Sequence, residues 1–236
     1  MIQFAITCSS FQRKDGKTPF LLKRALDSVF AQIHQDFTVY VIGDKYEDNT
    51  EFENIVSSYP QEKIYYENLP YAKERDKYTN NKNALWNAGG VNASNYALDI
   101  ALKDGFKYIC TLDHDDYWTN EHLSSLNEVI EETNADWLCT SSTYCNYGNL
   151  PRVKTQEKYV VFLPVPCGVI NSSTCINFST IPIRFRDVFE EEGKLEPADA
   201  DRHSRCVKYI KDNKLKSYFV NKHTCFHIEE QYIIKG

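Results

Sequence analysis

The chain has 236 residues, 42% hydrophobic and 25% charged, which is enough to bury one sizeable core and excludes a disordered polypeptide. Its 33 acidic against 27 basic residues leave a net charge of −6, which argues against a nonspecific grip on nucleic acid or on an anionic membrane. No apolar run reaches membrane-spanning length and residues 1–7 lack the basic start of a secretion signal, so a soluble, cytoplasmic protein with no integral membrane segment is expected.

In chain order, residues 2–7 read as a first buried strand, followed by a polar loop over 8–17. A helix follows, with Thr18 as N-cap, Pro19 at its first position, and Leu22, Ala25, Leu26, Val29 and Phe30 as its apolar stripe. Residues 37–42 are a second strand ending at Gly43 and Asp44, 51–58 a short helix, and 63–66 a third strand. Residues 68–92 lack periodicity and are rich in Asn, Lys and Tyr; they read as an inserted loop with at most a helical turn near 84–87. Then come a helix over 93–103, a central strand over 107–112, a helix over 120–132 and a strand over 137–141. Beyond residue 142 the alternation breaks down into a turn-rich segment (144–151), strands near 159–163 and 173–176, a helix opening at Asp199, and a final strand at 218–220. Strands alternating with helices of this length predict right-handed crossovers and an α/β fold with a mostly parallel sheet.

The eight cysteines form no CxxC pair, and several lie inside apolar runs. Free, buried thiols are therefore expected, without structural zinc or a disulfide framework. The sequons at Asn92, Asn171 and Asn177 mean little without secretion.

The central strand runs into Asp113-His114-Asp115-Asp116. A buried strand that delivers three carboxylates to its carboxyl end gathers charge that repels itself, and a divalent cation neutralises it. Oxygen ligands favour Mg²⁺ or Mn²⁺ over zinc. The same residues would also serve as an acidic turn capping the next helix. Ligands of open α/β sheets bind beyond the carboxyl ends of the strands, which would gather Thr7, Asp44 and Asp113 to Asp116 on one rim and favours the metal.

Thr7-Cys8-Ser9-Ser10 after the first strand, the 22–32 helix and the 37–44 strand with Asp48-Asn49-Thr50 together resemble the opening of the family 2 glycosyltransferases. The likeness resumes over 93–123, with Asp113-His114-Asp115-Asp116 where that family carries its DxD motif, and continues more weakly to about residue 210. The resemblance implies a single GT-A domain over 1–236, with a nucleotide-sugar-binding half (1–118) and an acceptor-binding half (119–236). It also implies an inverting transfer from a nucleotide-diphosphate sugar, with uracil the usual base, to a glycan or other hydroxyl acceptor, assisted by Mn²⁺ or Mg²⁺.

Residue by residue, the likeness makes Asp44 the carboxylate that accepts from the base, a role otherwise replaced by capping of the next turn. Thr7 becomes a base or ribose contact, Asp113 the ribose-side member of the motif and a metal-side carboxylate, Asp115 the metal ligand, and Asp116 its support. His114 is expected to be exposed and replaceable, and His227 is a candidate metal ligand set against a merely structural role. Asp199 matches the catalytic aspartate that takes the acceptor proton, with Asp201 as the other candidate and Arg205 as the arginine that follows.

Two positions depart from the family pattern: Ala93-Ser94-Asn95 stands where many members have Ala-Arg-Asn, and Ala198 stands where a Glu precedes the catalytic aspartate. Arg75, in the inserted loop, is a candidate replacement for the missing arginine. These departures keep a second reading open, a catalytically inactive nucleotide-sugar- or glycan-binding module. A sugar-nucleotide pyrophosphorylase is disfavoured, because residues 7–13 carry no glycine for a phosphate loop.

Overall fold

The computed structural model describes residues 2–145 and 147–227. Four strands, β1 (Phe4–Ser10), β2 (Phe37–Gly43), β3 (Ile64–Asn68) and β4 (Tyr108–Thr111), run parallel in the order β3-β2-β1-β4, as the alternation predicts. Register aligns their carboxyl ends: Ser10 lies opposite Gly43, Gly43 opposite Asn68, and Thr7 opposite Thr111.

Successive residues of β1 face opposite sides, the two-residue period that a sheet covered on both faces requires. Phe4, Ile6 and Cys8 pack with Leu22, Leu26 and Val29 of α1 (Thr18–Phe30), Phe52 of α2 (Asn49–Val56), and Leu126 and Val129 of α6 (His122–Thr133). Ala5 packs on the other side with Ala97 and Leu98 of α5 (Val91–Lys103) and with Cys206 and Ile210 of α8 (Ala198–Asn213). Each fully buried Leu or Phe adds roughly 1.5–3 kcal/mol of transfer free energy.

The far half of the sheet is mixed, so the strictly alternating pattern stops where the sequence loses it. The strand β9 (Thr174–Asn177) lies antiparallel between β4 and β6 (Trp137–Tyr144). The long strand β10 (Ser217–His227) is parallel to β6 and pairs at its end with the two-residue β5 (Tyr117–Trp118). The short strands β7 (Asn149–Leu150) and β8 (Tyr159–Val161) pair antiparallel with β6 and β10.

Three expectations are corrected. Residues 68–92 hold two helices, α3 (Lys73–Lys77) and α4 (Lys82–Ala88), and the start of α5. These helices are too short to show a 3.6-residue period. They are held instead by the Asn81 side chain, which accepts from Ala84 N at 3.0 Å, and by packing of Tyr78, Ala84 and Ala88 on Phe189 of α7 (Val188–Glu192). Lys17, not Thr18, is the N-cap of α1; the buried Thr18 hydroxyl donates to Phe11 O at 3.0 Å and accepts from Arg13 N at 2.8 Å, tying down the loop after β1. Likewise Pro197 is the N-cap of α8, and Asp199 lies inside its first turn. No disulfide forms among the described residues, and six of the eight cysteines are buried.

Candidate active site

The aligned strand ends open into a cavity of about 830 Å³ whose walls include Ser9, Ser10, Phe11, Asp44, Arg75, Asp113, Asp115, Asp199 and His227. This is a size that suits a ligand as large as a nucleotide sugar. Asp44 stands one residue past β2, where its N–H donates to Ser10 O at 2.7 Å. It does not cap the following helix: Asp48 does, accepting from Thr50 N at 2.9 Å. Burial raises the Asp44 carboxyl above its ordinary range, and Arg75 holds it back through an Nε–Oδ2 contact of 2.7 Å. Oδ1 is buried without a hydrogen-bond partner among the described residues, an acceptor available to a ligand donor.

Arg75 arrives from the excursion that carries α3, and its guanidinium carbon lies 3.4 Å from the centroid of the Phe11 ring. A β-carbon on Gly89 would come within 3.3 Å of Arg75 Nη2 and 2.6 Å of Leu85 O, so a bare backbone is needed where the arginine passes. At the departing position, Ser94 Oγ bonds Ser9 Oγ at 2.9 Å, and the Arg75 guanidinium, from a different segment, lines the same cavity.

Thr7 lies three residues before the end of β1, its hydroxyl 3.5 Å from Cys110 O, and does not line the cavity. The strand runs deeper than its apolar stretch predicts, so Ser9, Ser10 and Phe11 occupy the rim in its place. His114, expected to be exposed, is buried and packs edge-on against Phe11 at 5.1 Å. The reason is that the turn after β4 folds back under the Phe11 loop.

Asp113 and its neighbours are anchored from outside their own segment. The N–H of Asp113 donates to Ser172 Oγ at 3.0 Å, and Asn171 Nδ2 donates to Asp113 Oδ1 at 3.4 Å, both from the 3-10 turn that precedes β9. Asp115 is about a third exposed; its carbonyl accepts from Arg24 Nη2 at 2.5 Å and its carboxylate lies 3.5 Å from Arg13. Burial first, then the charges of Asp116, Asp115 and Asp199, push the Asp113 carboxyl up to about 8.

His227, at the end of β10, meets the buried Asp116 with Nδ1 2.9 Å from Oδ1 and stacks on Tyr144 at 5.4 Å. Burial opposes its charge, but the hydrogen bond to Asp116 and the charges of Asp116, Asp113 and Asp115 push it up to about 9. Its folded value is raised, so its contribution to stability is complete below the ordinary 6.5 and is lost as pH rises through about 9. Metal-free protein should accordingly lose thermal stability across that window, and His227→Gln should flatten the profile there. A flat wild-type profile would mean the ion pair adds nothing.

Asp199 also lines the cavity, its Oδ1 accepting from Ala200 N at 2.8 Å. Asp201 turns away and is held by Arg186 at 2.6 Å and Arg205 at 2.8 Å. Burial works against its charge, but the two arginines hold its carboxyl below the usual range. Arg205 is thus a structural partner of Asp201. Between them, Arg202 is fully buried against Phe178 and Phe185.

No trio of His, Cys, Asp or Glu among the described residues clasps an ion on its own. Mg²⁺ and Mn²⁺ used with a diphosphate are held by one or two carboxylates while phosphate oxygens and water complete the shell. Burial first, and then the crowding of Asp113 by Asp116, Asp115 and Asp199, pushes its carboxyl up to about 8, and that crowding is the charge a cation would relieve. The residues present therefore fit such an ion.

A family model described as Glycosyl transferase family 2 matches residues 19–193. An uncharacterized glycosyltransferase of Acanthamoeba polyphaga mimivirus is 31% identical over 237 residues, covering 97% of this chain and 95% of its own. Among solved structures, the 1–349 segment of S. aureus TarS in complex with UDP superposes with a TM-score of 0.69 at 15% identity, over 97% of this chain and 61% of that one. The mannosyltransferase PcManGT from Pyrobaculum calidifontis, in complex with GDP-Man and Mn²⁺, gives 0.58 at 10% identity, over 95% and 56%. At these identities the likeness shows the fold, which is of the GT-A type. The chain spans about three fifths of the length of these solved structures.

Proposed function

This chain belongs to glycosyl transferase family 2 and is a transferase enzyme, and we propose that it moves a sugar from a UDP-linked donor to an acceptor hydroxyl with inversion. The observation that carries the reading is the convergence of Asp44, Asp113, Asp115 and Asp199, from three separate segments, on one cavity. The UDP and UDP-GlcNAc complexes of the S. aureus structure support the choice of nucleotide.

In this reading Asp44 accepts from the N3–H of uracil through its open Oδ1, while Arg75 steadies the carboxylate and adds positive charge beside the donor. Asp113 serves the ribose side. Asp115, with Asp113 and His227, would hold Mn²⁺ or Mg²⁺, which when bound offsets the charge that grows on the leaving diphosphate. Asp199 takes the proton of the acceptor hydroxyl as its oxygen bonds to the anomeric carbon; the bond from that carbon to the diphosphate breaks, and its electron pair leaves with the diphosphate. Residues 1–118 supply most of the donor wall and 119–236 most of the acceptor wall.

The test is a thermal-shift panel of nucleoside diphosphates with Mn²⁺, followed by hydrolysis of UDP-sugars. UDP should stabilise the protein most, and slow donor hydrolysis should separate an enzyme from an inactive binding module. Asp44→Ala should weaken UDP binding by about 1–3 kcal/mol, the usual cost of a buried polar group left unpaired. Unchanged affinity in that variant would remove Asp44 from the donor site. A preference for GDP would move the base assignment from uracil to guanine.

A further inference from the structure

A second cavity of about 520 Å³ opens beside the first, and Tyr144, Leu150 and Cys167 line both. Its walls add Tyr147, Phe162 and Val165; among the described residues Arg152 is the only charged one that lines it. Tyr147 and Val165 are 61% and 58% exposed among the described residues. Tyr147 stacks on Tyr144 at 5.4 Å, and Tyr144 on His227 at 5.4 Å, so one run of rings leads from this cavity to the carboxylates of the first. Cys167 lies at the junction on the Asp199 side, where burial and then the Asp199 charge raise its thiol.

Sugar hydroxyls call for carboxylates, amides and backbone groups that face inward; this wall offers rings, aliphatic groups and prolines. We infer that the second cavity receives an apolar or aromatic aglycone of the acceptor, so that the acceptor is an amphiphilic glycoside or alcohol whose hydroxyl end reaches Asp199. The inference rests on the transferase reading above. Continuity with the reaction cavity selects this occupant over an unrelated partner. The single cation at Arg152, without an acid partner among the described residues, tolerates an anionic group beside the apolar one.

The test uses three probes that share one sugar, methyl, octyl and p-nitrophenyl β-glucoside, titrated against the full chain with UDP and Mn²⁺, octyl glucoside being kept below its micelle concentration. The ratio of affinities then reads the aglycone alone. The octyl and p-nitrophenyl probes should bind at least about tenfold more tightly than the methyl probe. Val165→Asp and Tyr147→Ala should each cut that preference to about twofold or less, with the UDP-induced stabilisation unchanged. Equal binding of the three probes, or a preference that survives both variants, overturns the inference. So does a change of solution mass in Val165→Asp without any aglycone preference, which would mean that a second copy of the chain covers this surface. If the apolar probes bind but no nucleoside diphosphate stabilises the protein and none is released from its sugar donor, the donor-transfer reading fails, and the cavity is a binding site without being an acceptor subsite.

Discussion

Asp199→Asn is expected to lower sugar transfer by about 10² to 10⁴, the usual contribution of a general base, while UDP with Mn²⁺ stabilises the variant as it does the wild type. The amide keeps the size of the carboxylate and can still accept from Ala200 N, but it cannot take a proton at neutral pH. Asp201→Asn is the paired variant. Its carboxylate is engaged by Arg186 and Arg205, so its replacement should lower the melting temperature and leave turnover per folded molecule close to wild type. Single-turnover transfer with both variants decides the matter. If Asp199→Asn keeps full activity and Asp201→Asn loses it while still folded, the base lies two residues further along α8. If both remain active, no carboxylate of this helix is the base.

The second large effect is expected at Asp115. Wild-type protein should gain stability from UDP and Mn²⁺ together well beyond either alone, by about 2.7 kcal/mol when the ligand is at a hundred times its dissociation constant. Asp115→Ala should bring that synergy close to zero and reduce transfer to background. Equal shifts with and without Mn²⁺ in the wild type, or an undiminished synergy in the variant, would sink the idea that this carboxylate meets the diphosphate through a metal. The Arg24 bond to the Asp115 carbonyl survives the substitution, so the turn after β4 should keep its shape. Retention of the wild-type melting temperature without ligand would check this.

Much of the donor half could be read without coordinates, for a physical reason. A strand or helix of ordinary length writes its own period, and β1, α1, β2 and β4 lie where the two- and 3.6-residue patterns put them to within a few residues. Parallel register then brings strand ends together, so an acidic run after β4 and an aspartate after β2 had to share a rim. Where elements are short, as in α3 and α4, no period can develop and capping by Asn81 decides the structure instead. The strand β9 is buried on both faces, so its residues carry no alternation and no sign of the direction in which they pair. Asn171 and Ser172, which hold Asp113 from that region, had no signal beyond two polar residues beside an apolar run.

The sequence by itself determined the α/β class, the four parallel strands, the family likeness and the acidic rim, because each is set by local period or by residue type at a strand end. Tertiary structure alone decided which side chains reach the cavity. It replaced Thr7 by Ser9, Ser10 and Phe11 through three extra ladder pairs, brought Arg75 from an excursion to Asp44, and buried His114 under Phe11. It also turned Asp199 inward while two arginines locked Asp201 away. Side-chain direction depends on contacts tens of residues distant, such as the 31 that separate Asp44 from Arg75 and the 111 that separate Asp116 from His227, and no local pattern in the chain encodes them.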